Sequence, residues 1–423
     1  MREEWNKRAR VDARFYVAFG RRNQTDEDFQ ASAAENISAF EREFFRLPDK
    51  PVSARRALEV GCGLGRLMLP MSRHFGEIHG VDVSDQMVSQ ARIRLQAIHH
   101  AYVHVTSGSD LRIFDNSYFD YIYSYIVFQH IPDKDIVLNY LLESKRVLKP
   151  GGVLCCQLRG CSPIPSELSR ESETWTGCFF SSGEIAEFAR RNEFPLVAIA
   201  GINTQYMWTT FRKSQTDIKQ AGGRCVIDAI TAASGTAPTV PSRGRDAAVS
   251  LWIRGMPHDS NLADCSIVFG KTEQLGCYLS PISGDGGCQL NARLPDGLDP
   301  GEYVVSMFLK REQIEGAHKL VVTAPASYDP HIAAMTDGIN LTSKFRVETG
   351  GAKVIIEDLA DPHGVSFAVA GRPGEYLQYE CKDPITSTYE FAFHLQQKTP
   401  KGRQELRITI GDKELPPIEI DVC

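Results

Sequence analysis

The feature of the sequence that most constrains the fold is a glycine-rich turn between two apolar segments. Residues 57–66 read Ala-Leu-Glu-Val-Gly-Cys-Gly-Leu-Gly-Arg, and Leu-Met-Leu follows. An apolar run, three alternating glycines and a second apolar run predict a buried strand, a tight loop and the start of a helix. Glycines accept positive φ and let a ligand approach the backbone, and a helix N-terminus attracts anionic or polar groups. We therefore expect an α/β fold with a ligand at this loop.

The spacing of the glycines distinguishes between kinds of loop. A dinucleotide-binding fingerprint, G-x-G-x-x-G, requires its third glycine where this chain has Arg66, and the third glycine stands one residue earlier, at Gly65. A phosphate-binding P-loop requires Gly-Lys-Ser/Thr at its end, and this sequence does not follow here. An ordinary glycine-rich turn that binds no ligand remains an alternative at this point.

Two segments resemble a known family. Residues 59–65 follow the pattern E-x-G-x-G-x-G, which resembles motif I of the class I S-adenosylmethionine (SAM) methyltransferases. Residues 146–152 read Arg-Val-Leu-Lys-Pro-Gly-Gly, which resembles the post-motif of the same family. The resemblance implies a Rossmann-like, doubly wound, seven-stranded methyltransferase sheet. Strands and helices that alternate between residues 57 and 212 agree with such a sheet.

The resemblance also implies SAM as methyl donor and S-adenosylhomocysteine as product. Glu59 would hold the amino end of the methionine part, Asp82 the two ribose hydroxyls, and Asp110 the adenine amino group. Two alternatives stay open, a position at a helix N-cap for Asp82 and simple solvation for Asp110. The full set of predicted cofactor contacts is Glu59, Gly61, Cys62, Gly63, Gly65, Asp82, Val83, Met87, Asp110, Leu111 and Tyr125.

Two side chains that follow the predicted fourth strand are candidates for catalysis, Tyr125 and His130. His130 could be a general base for a hydroxyl acceptor, or a structural histidine that hydrogen-bonds its own loop. After this strand the chain lacks the Asn/Asp-Pro-Pro-aromatic motif of methyltransferases that modify nucleic-acid amino groups. A cluster of Asp and Asn ligands for a metal is also missing, so we expect no metal. We predict transfer to an oxygen of a small-molecule or glycan-like acceptor.

The length of 423 residues predicts more than one domain. Residues 1–50 are expected to be N-terminal helices, either plain core or a lid over the cofactor that Trp5, Arg8 and Tyr16 would line. The remaining predicted parts are a methyltransferase domain at 51–213, a linker at 214–222, and two all-β segments at 223–324 and 325–423. Short alternating strands with turn signals predict an immunoglobulin-like β-sandwich in each all-β segment, the first loosely similar to the IPT/TIG type.

Composition narrows the remaining possibilities. The formal net charge of -6 argues against general nucleic-acid or membrane-surface binding. No stretch approaches the ~18 consecutive apolar residues of a membrane span, and the N-terminus lacks the apolar core of a signal peptide. The 11 cysteines show no C-x-x-C pair, which favours a reduced, cytoplasmic setting. One alternative function is a non-catalytic SAM-binding scaffold whose β-sandwich domains contact a protein or carbohydrate; another is an oxidoreductase, against which Arg66 argues.

Overall fold

The computed structural model describes residues 1–18, 24–160, 177–204, 206–215, 224–242, 246–284, 286–295 and 298–324, and beyond them the backbone of strands between Lys344 and Val422. The chain divides into two compact units. The first is Met1–Gln220 with His258–Ala263, and the second is Ala221–Pro257 with Asp264–Cys423. The domain boundaries expected at residues 50, 213 and 324 stay predictions, and only residues 214 and 215 of the expected linker lie within the described residues.

The first unit consists of helices and strands that mostly alternate. Its helices are α1 (Arg2–Val17), α2 (Asp26–Glu41), α3 (Met68–Met71), α4 (Asp85–Arg94), α5 (Lys134–Val147) and α6 (Ser182–Arg191). Its strands are β1 (Arg56–Val60), β2 (Glu77–Asp82), β3 (Ala101–Val105), β4 (Phe119–Ser124), β5 (Leu148–Leu158), β6 (Leu196–Ala200) and β7 (Met207–Arg212).

The sheet of the first unit has the order β3-β2-β1-β4-β5-β7-β6. Strands β1 to β5 pair in parallel, and β7 is antiparallel to both β5 and β6. The predicted Rossmann-like sheet is confirmed, with a mixed rather than wholly parallel edge. The strand order reverses between β1 and β4, and this is the position where open α/β sheets bind ligands.

Burial and capping explain why these elements form. Every residue of β4 is buried, as a central parallel strand covered on both faces requires. Ser84 caps α4 by accepting the Met87 N–H, and Ser181 caps α6 in a capping box with Glu184. These side chains satisfy N–H groups that have no partner within the helix.

Three element boundaries differ from the sequence expectation. The first helix, expected over 67–75, is α3 followed by a 3-10 turn at Ser72–His74. Helix α4 ends at Arg94, not near residue 99, because Leu95 leaves helical geometry at ψ 3°. The segment at 149–152, expected to be a turn before the fifth strand, lies inside β5. Lys149 binds Asp120 at 2.6 Å and the Gly151 N–H binds the Lys213 carbonyl at 2.8 Å, so both anchor it in the sheet.

The second unit is built from strands in the part that the structure describes. Its strands are β8 (Val226–Ala232), β9 (Thr239–Pro241), β10 (Ala248–Arg254), β11 (Cys265–Phe269), β12 (Thr272–Leu275), β13 (Tyr278–Leu279), β14 (Cys288–Arg293), β15 (Gly301–Leu309), β16 (Glu312–Gln313) and β17 (His318–Thr323). Antiparallel pairs join β8 to β10, β10 to β14 and β14 to β13, while a second set pairs in the order β12-β11-β15-β17-β9, with β16 beside β15. Strands β9, β12, β13 and β16 were not expected, because each is only two to four residues long.

Further strands follow in the last hundred residues. Their bounds are β18 (Lys344–Thr349), β19 (Val354–Asp358), β20 (Ser366–Val369), β21 (Tyr376–Glu380), β22 (Phe391–Leu395), β23 (Gly402–Ile410), β24 (Lys413–Glu414) and β25 (Ile418–Val422). The immunoglobulin-like identity of either all-β segment stays a prediction. Among the described residues, no helix has the length and apolar character that crossing a bilayer requires.

Candidate active site

The turn after β1 contains three glycines, two of which lie at the crevice between β1 and β4. Gly61, Gly63 and Gly65 have positive φ values of 75°, 49° and 70°. A Cβ atom at Gly61 would lie 2.3 Å from Val127 Cγ2, and one at Gly63 would lie 3.0 Å from Val17 Cγ2. Backbone conformation and lack of space therefore both require glycine at these positions. Gly61 and Gly63 form part of the wall of a cavity in the first unit.

Asp82, the last residue of β2, is joined to the glycine loop. Its Oδ2 accepts the Gly63 N–H at 2.9 Å and its Oδ1 accepts the Ser84 N–H at 2.8 Å. Burial raises the pKa of Asp82, although these N–H groups partly offset the rise. Ser84 is the N-cap of α4, so the alternative position of Asp82 at a helix N-cap is excluded. Each carboxylate oxygen keeps a further lone pair that can accept a hydroxyl from the cavity.

Glu59 is a second carboxyl group in the same cavity wall. Its side chain lies in β1, is 4% exposed, and accepts a hydrogen bond from the Tyr123 hydroxyl at 3.0 Å. Burial raises the pKa of Glu59 to about 8, even though the Tyr123 hydroxyl and the charge of Arg66 favour the ionised form. Burial makes the ionised form of Glu59 costly. An ammonium group of a ligand would compensate that charge, so Glu59 favours binding of a cation.

Arg66 stands where a dinucleotide-binding loop has its third glycine. Its side chain is buried, and Nη1 donates to the Ser32 carbonyl at 2.8 Å, the Ser32 hydroxyl at 3.2 Å and Asn36 Oδ1 at 3.0 Å. Burial lowers the pKa of Arg66. Arg66, which replaces the third glycine of the dinucleotide pattern, therefore attaches α2 to the glycine loop.

Helix α1 is attached by polar contacts to the segment that follows Asp82. Asn6 Nδ2 donates to Asp85 Oδ1 at 2.7 Å, and Asn6 Oδ1 accepts the Ser84 hydroxyl at 2.6 Å. Arg2 Nε donates to the Val83 carbonyl at 3.0 Å. These bonds join α1 to the residues that directly follow Asp82, so the helix lies beside one end of the cavity.

Two of the three residues expected to line a lid do line the cavity. Trp5, Tyr16 and also Val17 of α1 contribute to the wall. Arg8 does not; its guanidinium lies over the Trp5 ring at 4.6 Å and the Tyr16 ring at 5.9 Å. The ring faces attract this cation, so Arg8 contacts two residues of the wall without lining the cavity itself.

The side of the cavity beyond β4 is mainly aromatic and apolar. Tyr125 stacks on Trp208 with ring centroids 5.5 Å apart. The His130 ring meets the edge of Trp5 at 5.5 Å, and both line the cavity. His130 is buried within a 3-10 turn at Phe128–His130. An imidazole at this position can accept a proton from a molecule bound in the cavity.

The structure brings most predicted site residues to one cavity. These are Glu59, Gly61, Cys62, Gly63, Asp82, Val83, Met87, Tyr125 and His130. Gly65, Asp110 and Leu111 are not among the lining residues. A Cβ at Gly65 would lie 2.7 Å from Leu95 Cδ1, Asp110 accepts the Arg112 N–H at 3.1 Å, and Leu111 is fully buried.

Several lining residues were missed in the sequence, among them Thr106, Gly108, Val127 and Tyr140. Thr106 and Gly108 lie in the segment between β3 and Asp110, and both line the cavity. Thr106 directly follows β3, and a polar residue at the carboxyl end of a parallel strand is a signal that could have identified it. Tyr140 lies on α5 and has no local signal, because only the fold brings that helix to the cavity.

Comparison with known proteins agrees with this geometry. Residues 58–156 match the family model of a methyltransferase domain. The match supports the resemblance to the SAM-dependent methyltransferases that residues 59–65 and 146–152 show. The chain is 32% identical over 108 residues to a demethylmenaquinone methyltransferase of Staphylococcus saprophyticus, covering 25% of this chain and 44% of the relative. It is 24% identical over 156 residues to a ubiquinone biosynthesis O-methyltransferase of Cereibacter sphaeroides, covering 36% and 62%.

A solved structure shows a more distant likeness. The magnesium protoporphyrin IX methyltransferase of Synechocystis PCC 6803 with bound S-adenosylhomocysteine is 14% identical, with a TM-score of 0.38, over 50% of this chain and 98% of that one. The chain spans less than two thirds of the length of the two sequence relatives. The second unit lies outside the matched residues 58–156.

Proposed function

We propose that the first unit is a SAM-dependent methyltransferase that modifies an oxygen of a small molecule. The observation that carries the proposal is the hydrogen bond between the Asp82 carboxylate and the Gly63 N–H, in a cavity that Glu59 also lines. This bond joins an acidic strand end to a glycine loop within the segment that matches the methyltransferase-domain model.

The residues of the cavity fit the donor. Gly61 and Gly63 leave no side chain in the way of its methionine part, Asp82 accepts its ribose hydroxyls, and Glu59 faces its ammonium. SAM supplies a methyl group activated by a positively charged sulfur. The protein's own work is to orient the donor, to exclude water and to manage the acceptor's proton.

The acceptor side supports a small molecule. Trp5, Tyr125 and His130 line the same cavity as the donor groups and leave a largely apolar space next to them. His130 takes the proton that a hydroxyl acceptor loses. The names of the relatives, which include a ubiquinone biosynthesis O-methyltransferase, support oxygen as the accepting atom. A glycan-like acceptor stays a prediction from the sequence alone.

Calorimetric titration tests the donor assignment. The full-length protein should bind SAM and S-adenosylhomocysteine but not NAD. Asp82→Asn should weaken SAM binding by about 30-fold or more, since two ribose hydroxyls lose a charged acceptor. Asp110→Asn is the matched control, because that carboxylate lies off the cavity wall, and it should change the affinity by less than about threefold. Binding of NAD alone, or equal effects of the two substitutions, would contradict the assignment.

A further inference from the structure

Ile126 has a backbone conformation that its residue type disfavours. It follows β4 by two positions and has φ 53°, in the left-handed region. A β-branched residue there is an outlier, and such strain persists only where the surroundings impose it. In a regular strand, neighbouring side chains point to opposite faces. Here Tyr125, Ile126 and Val127 all line the cavity, because the left-handed residue interrupts the alternation.

The side chain of Gln157 holds this turn. Gln157 lies in β5 and is fully buried, and its Oε1 accepts the Ile126 N–H at 3.0 Å. Its Nε2 donates to the Gln129 side-chain oxygen at 3.1 Å and to the Leu158 carbonyl at 2.7 Å. A buried side-chain amide is stable only when its N–H and C=O groups are hydrogen-bonded. In Gln157 both the oxygen and the nitrogen have partners.

The part of the cavity wall that follows β4, here called the acceptor wall, consists of residues 125–127 and the 3-10 turn Phe128–His130. The two ends of the Gln157 amide bond to these two parts. One end fixes Ile126, between Tyr125 and Val127. The other fixes Gln129, which lies in the same 3-10 turn as His130. Val127 in turn packs against the Gly61 backbone, since a Cβ there would meet its methyl groups. A single side chain therefore links the wall beyond β4 to the turn that carries His130.

We propose that Gln157 is a positioning residue for methyl transfer. It maintains the left-handed turn at Ile126 and so sets the distance between the acceptor wall and the glycine loop. The inference rests on the proposed function of the same cavity. Gln157 is not among the lining residues and acts through Ile126 and Gln129. Its loss should therefore reduce the transfer rate and leave SAM binding nearly unchanged.

The first test compares Gln157→Met with Thr209→Val in the full-length protein. Thr209 is also fully buried and donates to the Cys156 carbonyl at 3.2 Å, next to Gln157 but away from Ile126. The probe is the transfer of tritiated methyl from saturating SAM to the small-molecule fraction of a cell extract. Gln157→Met should slow transfer by about tenfold or more, with the SAM Kd changed less than about threefold. Thr209→Val should leave both unchanged; equal rates in the two variants would overturn the inference.

A double-mutant cycle separates positioning from general destabilisation. Asparagine tolerates the left-handed region better than isoleucine. In an Ile126→Asn background, Gln157→Met should therefore slow transfer by less than about threefold, and the same tenfold loss in both backgrounds would overturn the inference. Hydrogen exchange can be measured on the unmodified protein. The Ile126 amide should be protected from exchange, and exchange at the rate of an unstructured amide would overturn the inference. If the unmodified protein binds no SAM, the proposed function fails instead.

Discussion

The Asp82 carboxylate accepts the Gly63 N–H at 2.9 Å and thereby connects the end of β2 to the loop after β1. The bond fixes the loop in the conformation that exposes its backbone to the cavity. It also uses only one lone pair of the carboxylate and leaves others for a ligand. The proposed donor site is thus built largely from the ends of two neighbouring strands.

A Cβ atom at Gly61 should damage this site directly. Gly61→Ala places a methyl group 2.3 Å from Val127 Cγ2 at a φ of 75°, so either the loop or Val127 must move. We expect SAM affinity to fall by about tenfold or more and the Tm to drop by several degrees. Gly183→Ala is the control, because it lies at the start of α6 with only the Ser181 hydroxyl nearby, at 3.8 Å. Calorimetry and thermal melts on both variants check this, and equal losses would contradict it.

Glu59 should make stability depend on pH in an unusual direction. Its pKa in the folded protein is raised to about 8, so the folded state retains a proton that the unfolded state has already released. The unfolding free energy contributed by Glu59 is therefore largest below its unfolded pKa near 4.5 and is lost as pH rises toward 8. The Tm of Glu59→Gln minus that of the unmodified protein should grow from pH 5 to pH 8. A constant difference across this range would contradict the raised pKa.

The same substitution should impair ligand binding. Glutamine preserves the shape of Glu59 but cannot pair with an ammonium, so Glu59→Gln should weaken SAM binding by about tenfold or more at pH 8. A variant that is more stable at pH 8 and binds SAM worse would be the expected result of a carboxyl group buried for function. Unchanged SAM affinity would remove Glu59 from the donor site.

Two histidines remote from the cavity should make the first unit sensitive to acid. His79 Nδ1 lies 3.0 Å from His104 Nε2, and His79 Nε2 lies 2.7 Å from Glu77 Oε1. Burial lowers the pKa of both imidazoles, so the unfolded chain binds more protons below pH 6.5. Stability should fall as pH drops from about 6.5 to 5. His104→Gln should reduce that fall, while His99→Gln, at an exposed position, should not. Melts at pH 5 and 7.5 measure the difference.

Arg66→Gly would restore the dinucleotide spacing of glycines. We expect no NAD binding, because Arg66 attaches α2 to the loop through three hydrogen bonds and its loss leaves a void. The expected cost is about 2–4 kcal/mol of unfolding free energy. Arg73→Gly, at an exposed position, should cost about 1 kcal/mol or less. Chemical denaturation of both variants and an NAD titration test this, and NAD binding by Arg66→Gly would contradict it.

Several residues that the sequence suggested for the cofactor site lie at one cavity, and they do so for a simple reason. Glu59, Gly63 and Asp82 lie at the ends of consecutive parallel strands, and strand ends of one sheet meet at one edge. A local sequence pattern that identifies the strand ends was therefore enough to predict that these residues lie close together. The reversal of strand order between β1 and β4 is a finding of the structure, and it places Tyr125, which follows β4, beside the glycine loop that follows β1.

Other placements depend on longer-range structure. The expected contact between Asp110 and the adenine stays a prediction; Asp110 is not among the residues that line the cavity, and its carboxylate accepts the Ser107 hydroxyl and the Arg112 N–H. Tyr140 and Gln157 act through long-range packing, and their neighbours in sequence do not indicate it. Strand β12, Thr272–Leu275, is mostly polar and exists because it pairs with β11.

The most direct test of the proposed function is transfer of tritiated methyl from SAM, with the full-length protein and a fractionated cell extract. We predict label in the small-molecule fraction, released again by treatments that cleave methyl ethers, and reduced by about 30-fold or more in Asp82→Asn at subsaturating SAM. Label confined to protein or nucleic acid would contradict the proposed acceptor class. Tight SAM binding with no label in any fraction would contradict catalysis itself and favour a scaffold.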